Sequence, residues 1–469
     1  MYNKGLRKGA HMTDIIDRLI EELGEAMVLT GEDVSSRQAG FFSKSGVKAK
    51  ALIRPRSTAD VSRALKFCYE NDQPVVAHGG LTGLVMSAVT SADDVVISLE
   101  LMNQIEEINV VDRTAVVQSG VVLQTLQEEA ERNDLMYPLD LGGRGSCTIG
   151  GNISTNAGGN RVIRYGMTRD MVLGIEAVLA DGTIVSSMNQ MIKNNAGYDL
   201  KQLFIGSEGS LGIVTRAVLR LREAPRERAT LMVAVDEFQK LPSLLKHLDS
   251  ELGGTLSAFE LMWNNYYRLV TTEPAQNKAP MSQDYPFYVL VEAIGCDPER
   301  MENILSEAWE KEFVVDAVIA QSEAQRMELW AIRDDVGQLN RFKPNFTFDV
   351  SLRISHMIDY VNEVNQRLEE RFPGMVNYII GHMGDGNLHF LICPGEGDNS
   401  LRHDVEACVY EPLAQVSGSV SAEHGVGLEK KPWLDISRSA EEIDLMRRMK
   451  LALDPKGILN PGKIFDLAS

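Results

Sequence analysis

"GGRGSCTIGGNISTNAGGNRVIRYG", residues 142–166, is the stretch that decides how this chain is read. Closely spaced glycines let several backbone N–H groups converge on one anion. Two further clusters, "PVVAHGGLTGLVMSA" (74–88) and "FIGSEGSLGIVT" (204–215), lie in the same half of the chain. None ends in the Gly-Lys-Ser/Thr of a P-loop, and none is a GxGxxG between a strand and a helix. One such cluster is an ordinary turn. Three in one half point to a large, phosphate-containing cofactor.

Around these clusters, residues 50–225 mix short strands with a few helices. "KALIRP", "VVISLE", "AVVQSGVVL" and "IEAVLADGTIV" read as strands, the last with an Asp-Gly hairpin turn. Ser57 and Asp60 have the spacing of a capping box at a helix start. From about Ala229 the texture changes. "TLMVAV", "PFYVLVEAIG", "FVVDAVIA" and "FTFDVSL" alternate with amphipathic runs, including a helix from Ser322 and another over 356–371. This predicts an α+β module with helices packed on one sheet. A Ser439–Glu442 capping box opens the last helix, and "DPKGILNPGKIF" stops it.

Bulk properties narrow the function. The 469 residues, 44% apolar, suffice for two or three domains. With 47 basic and 66 acidic residues the net charge is −19, which argues against a nucleic-acid partner. The opening MYNKGLRKGAHM (1–12) reads as a vector remnant, and without its Lys4, Arg7 and Lys8 the balance is −22. Five widely spaced cysteines without a CxxC predict no disulfide framework and a reducing, cytoplasmic setting. No apolar run reaches the ~18 residues of a membrane span, and no secretion leader is expected.

The second half holds "YIIGHMGDGNLHFLIC", residues 378–393. Its apolar arms and Gly-Asp-Gly-Asn centre predict a hairpin with His382 and His389 facing each other across the neck. Such a turn is as readily structural as metal-binding. A catalytic metal site needs three protein ligands and an open position. "SAEHGVG" offers Glu423 and His424 in a second glycine-flanked loop.

"GGLTGL", "TIGGNISTNAGG", "RYG" and "GYDLKQLFIGSEGSLGIVT" resemble the FAD-binding domain of the vanillyl-alcohol-oxidase-type flavoenzymes. "GHMGDGNLH", "SAEHGVG" and "LDPKGILNPGK" resemble their FAD-linked D-2-hydroxyacid dehydrogenase branch, most of all its 2-hydroxyglutarate-oxidising members, with the D-lactate and glycolate dehydrogenases nearby. The motifs span about residues 50–466 in the family's order. The resemblance implies an α+β fold: a two-subdomain FAD-binding domain (13–225), an α+β cap for substrate with an antiparallel sheet (226–420), and a C-terminal segment (421–469) returning to the FAD domain.

By the same resemblance, the pyrophosphate loop is His78, Gly79, Gly80, Leu81, Thr82 and Gly83, although His78 also has a plain reading as a polar loop residue. Flavin and ribityl contacts are implied for Pro138, Asp140, Ser146, Ile149, Gly150, Asn152, Asn156, Gly158, Gly159, Gly212 and Val214, with Glu208 and Asn460 as further candidates. Relatives that attach FAD covalently carry His where Leu81 stands, so non-covalent FAD is expected. The implied ligands of a divalent metal, zinc with manganese or cobalt compatible, are His382, His389 and Glu423, and the implied base is His424.

The chemistry suits these residue types. Oxidising a 2-hydroxy acid removes the hydroxyl proton and the α-hydrogen as hydride. A Lewis-acid metal lowers the hydroxyl pKa, and histidine as a general base is worth ~10²–10⁴-fold. Asp385 and Asn387 shape the turn or support the site, Asn387 also being counted with the substrate contacts. Arg333, three residues after Trp330 on one helical face, matches the family's substrate-carboxylate arginine. The family's 2-hydroxyglutarate members carry Lys-Tyr-Asp-Leu/Val-Ser-Leu-Pro on the next strand, where this chain has Thr347 to Arg353. Thr347 replaces the lysine. Arg353, ~20 Å away on a regular strand, does not simply stand in for it. Shorter acids, D-lactate, D-malate or glycolate, stay open as substrates. A flavin-binding subunit without turnover and a metallohydrolase are the other readings; the intact His382, His389, Glu423 and His424 oppose the first and the glycine clusters the second. An electron-transfer flavoprotein, a quinone, a cytochrome or a second 2-oxo acid is compatible as the electron acceptor, and so is a homodimer.

Overall fold

The computed structural model describes residues 15–40, 45–394 and 398–467, so the stretch read as a vector remnant lies outside the described residues. Strands Val28–Thr30, Ala51–Ile53, Val95–Ser98 and Val75–His78 form a first sheet in that spatial order. The last three run parallel, and helix Thr58–Glu70 makes the crossover that parallel pairing requires. The Ser57 hydroxyl caps that helix by accepting the Asp60 N–H at 3.2 Å. The return bond goes to the Arg56 N–H instead of Ser57, so the box closes one residue early. Far along the chain, Ile458–Asn460 lies beside Val75, exchanging backbone bonds of 2.8 Å in both directions.

A second sheet is antiparallel, in the order Ile105–Asn109, Thr114–Gln118, Ile213–Arg220, Val172–Val178 and Ile184–Ser187. Asp181–Gly182 turns its last hairpin, with Gly182 at φ +86°, a conformation glycine adopts without strain.

The third sheet has seven antiparallel strands, ordered Asp316–Ile319, Arg228–Val235, Phe287–Ile294, Leu256–Trp263, Val376–His382, Asn387–Cys393 and Phe346–Ser351. Helices Lys240–Leu252, Pro298–Glu310 and Met357–Arg371 cover one face. Asn264–Thr271 and Glu323–Asp334 cover the other. Burial on both faces explains why these strands read as continuous apolar runs: every residue from Ala229 to Val235 is buried. Three carboxylates interrupt those runs, Glu260, Glu292 and Asp349, at 1%, 0% and 0% exposure. An ionised group buried so completely is tolerated only with partners.

The 142–166 loop meets the seven-stranded sheet directly. Arg164 donates to the carbonyls of Ile294 and, at 3.2 Å, Thr255. A Cβ on Gly384 would stand 2.4 Å from Ile163 Cδ1, so the hairpin turn touches this loop. The observed organisation is the α+β one expected, with an antiparallel cap sheet. Among the described residues no helix is long and apolar enough to cross a membrane.

Candidate flavin and metal site

The first two glycine clusters pack backbone against backbone. A Cβ on Gly80 would lie 2.2 Å from the Ser146 carbonyl oxygen, and one on Gly159 would lie 2.1 Å from that of Asp140. Gly79 approaches the Thr148 hydroxyl, which would stand 2.7 Å from its would-be Cβ. That hydroxyl, like the Tyr137 hydroxyl, is buried without a protein partner. An unpartnered donor beside two glycines is what a phosphate needs, so the residues fit FAD. Leu81, Asn156, Glu208 and Asn460 all have positive φ, between 40° and 55°. Such strain in non-glycine residues gathers at ligand sites.

Other expected flavin residues fall in several roles. Pro138 is buried and Ser146 exposed. Asp140 is held by Arg144 at 2.6 Å and Arg161 at 3.4 Å. Ile149, Gly150 and Asn152 lie on helix Ile149–Thr155, whose C-cap is Asn156. Thr82 and Gly83 continue the loop after Leu81. Gly212 packs on Phe204, and Val214 accepts from the Ser119 hydroxyl at 2.6 Å. Glu208 accepts the N–H groups of Val426 (2.7 Å) and Gly427 (3.0 Å) and the Ser87 hydroxyl, so it grips the loop after His424. Asn460 accepts the Ala77 N–H at 3.0 Å, tying the C-terminal segment to the first sheet. His78 ends a buried strand instead of lying in a loop. Its Nε2 is 2.9 Å from the Ala88 carbonyl, and burial drops its pKa to about 4, leaving it neutral.

The predicted hairpin forms, with strands Val376–His382 and Asn387–Cys393 and Gly386 at φ +87° in the turn. His389 pairs with Ile380, so His382 meets it diagonally, not directly opposite, with ring centroids 5.3 Å apart. Both histidines aim at one atom: Glu423 Oε1 is 3.5 Å from His382 Nε2 and 3.6 Å from His389 Nε2. Burial opposes charge on Glu423, but the facing His382 holds its carboxyl at about 2. Burial also opposes charge on His382, yet Glu260 raises its pKa to about 10. Burial and the His382 charge push His389 down to about 3, so it is neutral. Two imidazoles and a carboxylate sharing a focus fit a divalent metal by the chemistry of the donor set. Gly158 brings the flavin loop onto the same focus, since a Cβ there would stand 2.6 Å from Glu423 Oε2.

Asp349 and Glu260, which sequence reasoning did not assign, hold this arrangement together. Asp349 Oδ2 accepts the N–H groups of Ala422, Glu423 and His424, each at 3.1 Å, and lies 3.4 Å from Lys430 Nζ. Its Oδ1 accepts from Asn387 Nδ2 at 2.9 Å, while Asn387 Oδ1 stays buried and unpartnered. Burial would raise the Asp349 pKa, but the surrounding His424, Lys430 and His389 hold it far below the usual range. His424 turns Nδ1 towards Asp349 Oδ2 at 3.6 Å. Glu260 accepts from Arg333 Nε and from His382 Nδ1, each at 2.8 Å. The available signal was an acid inside an apolar strand, in "FTFDVSL" and "LSAFELMW".

Arg333 is buried and joins the cluster, Nη2 lying 3.2 Å from His382 Nε2. Thr347 is exposed opposite Leu391, two residues from Asp349 on the same strand face. Arg353 is not brought in. The strand ends at Ser351, and Arg353 lines a cleft with Ser417, Ser437 and Arg438 that none of the cluster histidines line. Among the described residues, Asp349, His389, Glu423 and His424 lie close enough together to hold an ion, with His382 outside that group, and His247, Glu251 and Glu307 on the outer helices form another; Lys311 Nζ is 3.2 Å from its His247 Nδ1.

Residues 224–464 match the family described as FAD linked oxidases, C-terminal domain, and residues 49–187 the FAD binding domain. The chain is 37% identical to D-2-hydroxyglutarate dehydrogenase of Stutzerimonas stutzeri, over 97% of this chain and 100% of that one. It is also 37% identical to a Schizosaccharomyces pombe protein provisionally named a mitochondrial D-lactate dehydrogenase, over 92% of this chain and 84% of that one. The solved structure of p-cresol methylhydroxylase superposes with a TM-score of 0.76 at 17% identity, covering 97% and 96% of the two chains. Fold and cofactor cradle thus define a flavoprotein of the vanillyl-alcohol-oxidase type, an FAD-dependent oxidoreductase. The chain belongs to the FAD-linked oxidase family.

Proposed function

We propose that the protein oxidises a D-2-hydroxy acid, foremost D-2-hydroxyglutarate, to the 2-oxo acid. The observation that carries this reading is the convergence of His382, His389 and Glu423 on one point against Gly158 of the flavin loop. When bound, a divalent metal at those three residues supplies Lewis-acid polarisation of the hydroxyl, and non-covalent FAD supplies the hydride acceptor. His424 takes the hydroxyl proton on Nε2, because its Nδ1 faces Asp349. Arg333, its Nε engaged by Glu260 and its Nη1 by Asp334 at 3.3 Å, offers its guanidinium charge to the substrate carboxylate. Asn387 has an unpartnered Oδ1 for the substrate or its hydration.

A shorter acid such as D-lactate, D-malate or glycolate is the second reading. It is favoured by the uncharged Thr347 on the site's strand and by the absence of Arg353 from the cluster. The same proposal divides the chain into an FAD domain (13–225), a cap (226–420) and a returning segment (421–469). Five free, buried cysteines support a reducing, cytoplasmic setting. The electrons leave to an electron-transfer flavoprotein, quinone or cytochrome.

The test is anaerobic flavin bleaching against D- and L-2-hydroxy acids, with and without chelator. His424→Ala keeps FAD and metal but loses bleaching. Unchanged reduction rates in that variant remove its role as base, and bleaching indifferent to chelator removes the metal.

A further inference from the structure

Strand Leu256–Trp263 carries one acidic residue, Glu260, which takes no part in the proton or hydride steps above. We infer that Glu260 is a positioning residue shared by two sites: its single carboxylate fixes both the metal ligand His382 and the substrate arginine Arg333. The inference rests on the metal-site reading and deepens it.

The geometry is direct. Glu260 pairs with His382 across neighbouring strands, so their side chains share a face. Glu260 Oε2 takes Arg333 Nε at 2.8 Å, and His382 Nδ1 stands 2.8 Å from each of the two carboxylate oxygens. With Nδ1 engaged, His382 can present only Nε2 to the ion, and Nε2 is the atom facing Glu423 at 3.5 Å. With Nε engaged, Arg333 keeps its two terminal nitrogens in one orientation, while the Tyr266 hydroxyl fixes the helix end through the Arg333 carbonyl at 2.9 Å. Glu260 is 1% exposed, so water does not substitute for either partner. A purely structural ion pair would stabilise the strand without linking the two affinities.

Glu260→Gln is isosteric but removes the charge and leaves a single acceptor oxygen for the two donors, so both bonds weaken. The expected result is a 10-fold or greater loss of Zn²⁺ affinity in chelator-buffered titrations, together with a 10-fold or greater rise in KM for D-2-hydroxyglutarate, at unchanged FAD content. Arg333→Ala is expected to raise KM while keeping Zn²⁺ affinity within 3-fold, because Glu260 still holds His382. Should Glu260→Gln not retain FAD, Glu260→Asp serves. One methylene shorter, it reaches a single partner and loses one affinity or both. Zn²⁺ affinity and KM both unchanged in the variant that retains FAD overturn the assignment. Zn²⁺ bound by neither wild type nor variant overturns the metal-site reading instead.

Discussion

Gly158→Ala tests how closely the flavin loop and the metal cluster are set. The added Cβ would stand 2.6 Å from Glu423 Oε2, 3.2 Å from Glu423 Cβ and 3.4 Å from Val162 Cγ2. An ordinary carbon–oxygen contact is about 3.4 Å, so the carboxylate must retreat by about 0.8 Å. Ligand distances in a metal site tolerate about 0.2 Å. A loss of about 10–100-fold in metal affinity follows, roughly 1.4–2.8 kcal/mol. Gly158 has no positive φ, so the backbone accepts alanine and the whole effect falls on the contact. The assay is Zn²⁺ titration in chelator buffers, read with flavin content and the anaerobic bleaching rate. Wild-type metal affinity and bleaching in Gly158→Ala would refute the placement of Glu423 against the loop.

Three further outcomes are expected. Asp349→Asn leaves Lys430 without its counter-charge and weakens the grip on three successive loop N–H groups. It should cost about 3–5 kcal/mol, and a melting temperature equal to wild type would contradict that role. His78 is neutral in the fold, with its pKa dropped from 6.5 to about 4, so its contribution is present above pH 6.5 and is lost as the pH falls to 4. His78→Gln, which keeps a donor for the Ala88 carbonyl, should flatten the acid limb of the stability curve by up to about 3 kcal/mol; parallel curves refute this. Thr347→Lys should raise kcat/KM for D-2-hydroxyglutarate relative to D-lactate, and an unchanged ratio would place the distal carboxylate elsewhere.

What the sequence determined by itself is local or motif-bound. The Asp181–Gly182 turn, the Ser439 cap and the hairpin of His382 and His389 follow from residue types a few positions apart. The glycine clusters marked the cofactor half because backbone approaches as short as those at Gly80 and Gly159 admit no side chain. Only the tertiary structure decided which acids matter. Glu260 meets His382 across 122 residues, and Asp349 meets the loop of His424 across 75. Strand pairing sets those meetings, and no local pattern encodes it. The same holds for the substrate's far end. Thr347 and Arg353 would share a face on a continuous strand, but the strand stops at Ser351 and Arg353 lines a cleft on the Gly384–Gly386 turn of the hairpin, which the hairpin histidines do not line. The period-two rule ends where the hydrogen-bonded ladder ends.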